Sequence, residues 1–501
     1  MRTEDTRRWF ALGALALAML TIGLDVTVLT VAIPTLAVDL DANTAALQWF
    51  SSAYTLALAA LMLPAGALGD RYGRKKVLLA ALVLFGLASL ACAFAGSAGQ
   101  LIVARVVLGI AAAAMMPLSM AVLPVLFTDP AQRQRAVTIW VTSVAIGLPL
   151  GPIVGGWLLQ HYWWGSVFLI NVPLVIVGAL AVATLVPETH GDKSLRLDIA
   201  GALLSAAGML GLTYGFIRIG DNGWDDIAAW LIVAAGAVLL VVFGWWQRRT
   251  THPLVDLALF ATPGFRWGTA LSILVSFAMF GMFFTVPQYF QAVLGVDALG
   301  SGLRLLPMIG GLVIGSRLVD MLLPKLGLRV VLTAGFLVLA AGIGLGALTR
   351  VDSGYGLTAL WTTVLGAGMG LVMPAAMGMA LGELNTDRSG SGSALLQALR
   401  QAGGTIGVAV LGTVLATAYR AELGALNHPP ISDGVNAGAA STAGDPAALA
   451  QVRSAFVVGM DTMLGVCALL CAVAAVAVAV FVRGQWSSNA GPVAAESVHV
   501  G

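Results

Sequence analysis

Apolar runs of about twenty residues, each closed by a short polar or basic stretch, recur from one end of the chain to the other. About twenty apolar residues is the length that crosses a bilayer as a helix. On that scale the pattern predicts about fourteen spans. The first six are 10–34, 47–68, 77–96, 100–123, 136–160 and 165–186. Two more follow at 198–219 and 228–247. The last six are 266–290, 300–322, 329–349, 356–381, 392–418 and 454–483. Arg7 and Arg8 precede the first run as they would in a signal peptide, but the run is too long for that and many spans follow. It is read as the first membrane helix.

Charge tests the layout. With the N-terminus in the cytoplasm, seventeen Lys and Arg fall on the inner side. Five fall outside: Arg218, Arg304, Arg350, Arg420 and Arg453. The other four of 26 (Arg105, Arg266, Arg317, Arg400) lie within or at the ends of spans. Positive loops stay inside, so both termini are expected in the cytoplasm of a multi-pass protein of the cell membrane. The composition agrees: 59% of residues are hydrophobic, 10% are charged and the mean hydropathy is +0.93. Soluble domains carry about 25% charged residues. The net charge of +2 points to no partner, nucleic acid included.

The spans repeat internally. Gly109 precedes Pro117 by eight residues, as Gly366 precedes Pro374. Gly147, Gly151 and Gly155 recur every fourth residue, as do Gly403 and Gly407. Pro34 is expected to end the first helix as Pro287 ends the ninth. The offsets Pro117 to Pro374, Gly151 to Gly407 and Pro34 to Pro287 are 257, 256 and 253. Two six-helix halves are therefore expected, residues 1–190 and 263–483, around an inserted helix pair in 191–262. Repeated halves with a site at their interface are a secondary-transporter architecture. Residues 420–453, rich in Ala, Gly, Ser, Asn and Pro, read as a mobile external loop, and 484–501 as a disordered tail.

Against this background three acids stand out. Loops and termini hold all of the 24 Asp and Glu except Asp25, Asp320 and Asp461. Asp320 lies three residues from Arg317, where a local ion pair is expected. Asp461 lies about two turns inside the last span and either lines an outer vestibule or hydrogen-bonds a neighbouring helix. Asp25 lies mid-span. A charged side chain at that depth costs about 2.5–3.5 kcal/mol on insertion scales, and such residues mark ion paths or substrate sites. The offset pairs Asp25 with Ala278, so the second half has no matching carboxylate. Desolvation disfavours the charged form of a buried carboxyl. Asp25 is thus expected to load a proton from one side and release it to the other, with Arg105 and Asp461 the other candidates for proton coupling. The alternative for Asp25 is a structural hydrogen bond to Thr21 or a neighbouring helix.

Other chemistry is not called for. The chain has no G-x-x-x-x-G-K-[ST] phosphate loop, no G-x-S-x-G and no H-E-x-x-H. Cys92, Cys467 and Cys471 lie in apolar runs and read as packing residues rather than disulfides or a metal site. Neither an enzyme nor a cofactor is expected, only the proton motive force.

Between the second and third spans runs Gly66-Ala-Leu-Gly-Asp70-Arg71-Tyr-Gly73-Arg74-Lys75-Lys76. Its glycines permit a tight turn, and Asp70 can face a basic group or a helix N-terminus and so latch two bundles. The run resembles the signature loop of the major facilitator superfamily. Leu24-Asp25-Val-Thr27-Val-Leu-Thr-Val-Ala-Ile-Pro34 resembles the first-helix motif of that superfamily's fourteen-span drug:proton antiporters. Arg105-Val-Val-Leu-Gly109 is similar to the fourth-helix motif. Gly147-Leu-Pro149-Leu-Gly151-Pro152-Ile-Val-Gly155-Gly156 is similar to the fifth-helix antiporter motif. In the second half the signature loop is degraded, with only Arg329 and Leu332 resembling it around Gly327.

The resemblance implies an all-α major facilitator fold of two six-helix bundles plus two inserted helices. It implies alternating access, gating by Gly66, Asp70, Arg71, Gly73 and Arg74, and a monomer in the bilayer. Small residues at every fourth position let helix backbones meet closely, and prolines bend the span. Fourteen-span relatives that export dicationic antiseptics carry further acids where this chain has Leu312, Gln397 and Gln401. Monovalent cationic, zwitterionic or neutral lipophilic substrates are expected instead. Candidate pocket residues are Trp49, Tyr54, Met116, Trp140, Phe284 and Gln397. The expected function is drug export by proton antiport. A dedicated exporter of one natural product is the alternative, ahead of a nutrient symporter and a non-transporting receptor.

Overall fold

The structure is a computed structural model that describes residues 2–127, 129–189, 198–251, 253–255, 257–382 and 389–482. Among them there is no strand, and thirteen helical stretches are long and apolar enough to cross a membrane. The remaining expected span, 136–160, lies within a 32-residue helix. The helices of the first half are α1 (Arg2–Asp39), α2 (Thr44–Tyr72), α3 (Arg74–Ala93), α4 (Ala98–Leu126), α5 (Pro130–His161), α6 (Ser166–Leu169) and α7 (Asn171–Leu185). The inserted pair is α8 (Ile199–Asn222) and α9 (Ile227–Gln247). The second half comprises α10 (Pro263–Gln288), α11 (Ala298–Arg304), α12 (Leu306–Gly346), α13 (Tyr355–Gly382), α14 (Ser389–Leu423), α15 (Val435–Ser441) and α16 (Pro446–Phe481).

Successive spans run in opposite directions, so the turns gather at two ends. One is the basic end, with Arg71, Arg74, Lys75, Lys76, Arg248, Arg249 and Arg329. The other is called the far end. Two turns at the basic end depend on glycine. Gly73, with φ 111°, closes α2 and opens α3, and Gly327, with φ 78°, breaks α12 into two spans. These angles strain any residue with a Cβ.

The two large apolar cores follow the halves, except that Phe284, Ala398 and Val408 of the second half pack into the first-half core. The repeat is visible in how the glycines pack. A Cβ at Gly109 of α4 would strike the backbone of α2 at Tyr54, and one at Gly366 of α13 would strike the backbone of α12 at Met308. Gly147, Gly151 and Gly155 of α5 rest on α1, while Gly403 and Gly407 of α14 rest on α10 at Ile273 and Phe277. In both halves the fourth span packs on the second and the fifth on the first.

Two features differ from the expectations. Pro34 and Pro287 do not end their helices: α1 continues to Asp39, and α10 runs into a π turn over Tyr289–Val293. A proline removes one backbone hydrogen bond and bends a helix, and neighbouring groups can satisfy what it frees. Beside the bend, Gln291 Nε2 of the second half donates to Val31 O at 3.0 Å and ties the two halves together there. The segment 420–453 is not a slack loop. The end of α14, two 3-10 turns, α15 and the start of α16 fill it. Tyr419 Oη donates to Ile431 O at 2.8 Å, Arg420 Nε to Ser432 O at 3.0 Å, and Arg453 Nε to Ala292 O at 3.1 Å. Composition underestimates such a segment because backbone carbonyls supply much of its cohesion. The tail 484–501 lies outside the described residues, as do Lys193, Arg196 and Arg388.

Candidate functional site

Asp25 sits on the α1 face turned into the first half and is fully buried. Arg105, from α4, is 1% exposed and donates from Nη1 to Asp25 Oδ2 at 2.6 Å. Asn171, at the start of α7, donates from Nδ2 to Asp25 Oδ1 at 3.0 Å, and the same amide reaches Ser89 Oγ on α3 at 3.4 Å. Arg105 Nε donates to Phe50 O on α2 at 2.9 Å. The guanidinium carbon lies 4.5 Å from the Tyr54 ring centre and 6.0 Å from that of Phe168 on α6. One ion pair thus gathers α1, α2, α3, α4, α6 and α7. Two charges this deep are tolerable only when paired and hydrogen-bonded, and every contact just named serves that end.

The fifth-helix motif lies against the next stretch of α1. A Cβ at Gly147 would come within 2.8 Å of Gly23 Cα, one at Gly151 within 2.9 Å of Val28 N, and one at Gly155 within 2.6 Å of Val28 Cγ2. The α5 contact therefore brackets Asp25 along the helix. Further on, the motif crosses to the second half. A Cβ at Gly156 would lie 2.6 Å from Leu299 Cα, and one at Gly302 would lie 2.7 Å from the carbonyl carbon of Pro152. The α5 and α11 backbones are in contact in both directions. The Pro149 side chain lies outside the described residues.

The described hydrogen bonds between the halves run from the far end to mid-helix. Thr44 Oγ1 donates to Asp433 O at 2.6 Å, and Thr405 Oγ1 to Thr55 Oγ1 at 2.6 Å. Where the halves meet, Val26, Leu29, Thr30, Tyr54, Thr55, Arg105, Phe280, Phe283, Phe284 and Val408 enclose a cavity. Its space open to a water molecule is about 20 Å³, room for roughly one water. Drug-sized ligands occupy about 300–1,000 Å³, so the cavity is closed to them in this conformation.

Tyr54 and Phe284 line this cavity, and the other suggested pocket residues lie elsewhere. Trp140 Nε1 donates to Ser119 Oγ at 3.0 Å, and that hydroxyl donates to Met116 O at 2.9 Å, both within the first-half core. Trp49 packs against Tyr214 of the inserted pair, ring centres 6.4 Å apart. Gln397 is half-buried on α14. Asp461 belongs to the second half, near Tyr289 and Arg350, and its buried Oδ1 has no hydrogen-bond partner. Thr21 bonds to Leu17 O rather than to Asp25. The side chain of Asp320 lies outside the described residues, so the Arg317 pair does too.

At the signature loop, Gly66 faces Pro117 and Arg71 lies over the Tyr72 ring at 5.5 Å. The Asp70 side chain lies outside the described residues. Arg74 N donates to Thr189 O at 2.8 Å and Arg74 Nη1 to Ala121 O at 3.1 Å. Glu188 accepts from Lys75 N at 3.0 Å and Lys76 N at 3.2 Å, an anion on the N-terminus of α3. Sequence reasoning missed Glu188, which reads as one more loop acid. It also missed Asn171, although a signal existed: no other asparagine falls inside a predicted span.

Two repeated helical halves with a cavity at their seam are the architecture of a membrane transporter. The family model of the Major Facilitator Superfamily matches residues 15–408. The chain is 32% identical over 496 residues to the tetracenomycin C resistance and export protein of Streptomyces glaucescens, covering 95% of this chain and 92% of that one. It is 32% identical to the multidrug efflux pump LfrA of Mycolicibacterium smegmatis, covering 95% and 97%. A bacterial homolog of the human lysosomal transporter Spinster, solved inward-facing and unoccupied, superposes with a TM-score of 0.67 at 17% identity, covering 96% of this chain and 99% of that one. The chain belongs to the major facilitator superfamily.

Proposed function

We propose that this protein exports lipophilic drugs, cationic or neutral, in exchange for protons, by alternating access between its two halves. The observation that carries the reading is the Asp25–Arg105 pair, buried beside the cavity at the seam of those halves. A proton arriving at Asp25 neutralises the carboxylate and leaves the guanidinium to Phe50 O and the Tyr54 ring. Removing one partner of a buried pair destabilises a protein by about 3–5 kcal/mol. That is enough to repack α1, α2 and α4, and α5 rests on the same stretch of α1. Gln48 Oε1, Ser52 Oγ and Tyr54 Oη, all on α2, are buried without hydrogen-bond partners. Such groups gain partners when the seam opens to water.

The resistance and export activities named for the relatives support drug export. The seventeen-to-five division of Lys and Arg supports a basic, cytoplasmic end that carries both termini. The signature loop, clamped by Glu188 and Thr189, acts as the gate at that end. The chain works as a monomer in the cell membrane, driven by the proton motive force without a cofactor. A dedicated exporter of one natural product is the second reading, favoured by the likeness to the tetracenomycin C exporter. A drug panel separates the two: protection against many unrelated compounds rules out the narrow one.

Asp25→Asn in inverted vesicles tests the mechanism. Drug-induced proton release is expected to disappear while the protein still inserts. Undiminished release would remove Asp25 as the coupling group.

A further inference from the structure

Arg400 is the charge that the mechanism above leaves unused. It lies 11 residues into the described part of α14 (Ser389–Leu423), ~16 Å from its start at 1.5 Å per residue. Its side chain is partly buried, and among the described residues Nη1 reaches two thioethers of α13, Met373 Sδ at 3.7 Å and Met377 Sδ at 3.8 Å. No carboxylate is within salt-bridge distance among the described residues. Sulfur is a weak acceptor, and a cation inside a membrane protein is normally paired or placed on a substrate path. Beside it Pro374 and Gly378 of α13 are exposed, so a molecule can approach from that side. Gln397 and Gln401, one turn before and one residue after on the same helix, add amides and no charge.

The other half supplies the contrast. The carboxylate of Asp25 is already neutralised by Arg105 and shut away from water. Asp461, the other described acid inside a span, lies on the far-end side of α16, beside Tyr289 and Arg350. Among the described side chains inside the spans, those free to meet a substrate on the basic side of the seam are therefore cationic, and a cation there attracts anions and repels cations.

We infer that Arg400 anchors an acidic group of the transported molecule, a carboxylate or an ionised phenol, through charge-assisted hydrogen bonds from the guanidinium. The preferred substrates are then lipophilic acids and zwitterions rather than pure cations. The inference rests on the reading of the chain as an exporter and shifts its substrate class from cationic or neutral compounds to acids and zwitterions.

Rhodamine 19 and rhodamine 6G test it, because they share a xanthene cation and differ in carrying a free carboxylate or its ethyl ester. Equilibrium binding to the full chain in phosphatidylcholine nanodiscs is measured for wild type, Arg400→Lys and Arg400→Gln. Wild type is expected to bind the acid about tenfold or more tightly than the ester, equivalent to about 1.4 kcal/mol. Arg400→Gln loses that ratio with ester binding unchanged, and Arg400→Lys keeps most of it. An unchanged ratio in Arg400→Gln, equal loss of both ligands, or no binding of either to wild type overturns the inference. So does a ratio that vanishes when phosphatidylglycerol is added, since the guanidinium then serves a lipid phosphate. Transport of the same dyes in inverted vesicles is read separately: an intact binding ratio without transport sinks the exporter reading and leaves the anion site standing.

Discussion

Gly156→Ala is expected to open the far end without unfolding the protein. The added methyl would lie 2.6 Å from Leu299 Cα and 2.7 Å from Ala298 O. These are backbone atoms of α11, and no side-chain rotation moves them away. The helices must separate, and overpacking of this kind costs about 1–3 kcal/mol. The contact joins the two halves, so the cost falls on the conformation in which the far end is closed. At about 1.4 kcal/mol per factor of ten, the closed population is expected to fall between about fivefold and about 150-fold relative to the open one. Distance distributions between spin labels on the far-end turns of α1–α2 and α10–α11 report that ratio directly. Gly151→Ala is the control: its methyl meets Val28 N at 2.9 Å inside the first half, so it lowers the melting temperature in either conformation. A Gly156→Ala protein with an unchanged distance distribution, or with the same loss of thermal stability as Gly151→Ala, would refute the assignment of the α5–α11 contact as the far-end seal.

Three further outcomes follow from particular contacts. Asn171→Ala takes a donor from the buried Oδ1 of Asp25; stability should drop by about 1–3 kcal/mol in a denaturation series, and an unchanged midpoint would show the bond to be dispensable. Glu188→Gln weakens the anionic cap on Lys75 N and Lys76 N, a change of about 0.5–2 kcal/mol; faster amide exchange at residues 75 and 76 than elsewhere in α3 is the expected sign, and uniform exchange rates count against it. Asp226, at the turn between α8 and α9, is held at about 2 by the Asn222 amide and Arg218. Its stabilising effect is complete above the ordinary carboxylate range and is lost as pH falls toward 2. Melting temperatures of wild type and Asp226→Asn should therefore differ at pH 6 and converge near pH 2, and a gap constant with pH would contradict the pairing.

The sequence made the helical architecture readable because bilayer thickness writes it directly as run length, and because glycine spacing marks close packing. Asp25 and Arg105 were legible for the same reason, since ionisable residues inside apolar runs are rare. Arg105 was legible as the group that tunes Asp25, but the bond itself was not, because 80 positions separate them along the chain. Asn171 and Glu188 act through single hydrogen bonds to groups distant in sequence, which no local pattern encodes. The 420–453 segment shows the opposite failure. Its composition resembles slack chain, yet Thr44, Gln288 and Arg453 hold it or its flanks by bonds to Asp433 O, Asn436 and Ala292 O. The pocket aromatics scattered most, since a large apolar side chain in a membrane helix has lipid, core and cavity all open to it.

The neutrality of the Asp25–Arg105 pair has an electrical consequence. While the pair is intact it adds no net charge at mid-bilayer, and the membrane potential exerts almost no net force on it. In the cycle proposed above, once Asp25 takes a proton the guanidinium is a whole positive charge part-way through the field. A full crossing is worth about 2.3 kcal/mol per 100 mV, so even a partial displacement biases the loaded state and not the empty one. In that proposed cycle the voltage acts only on the half that carries the proton, so the pair would rectify as well as carry.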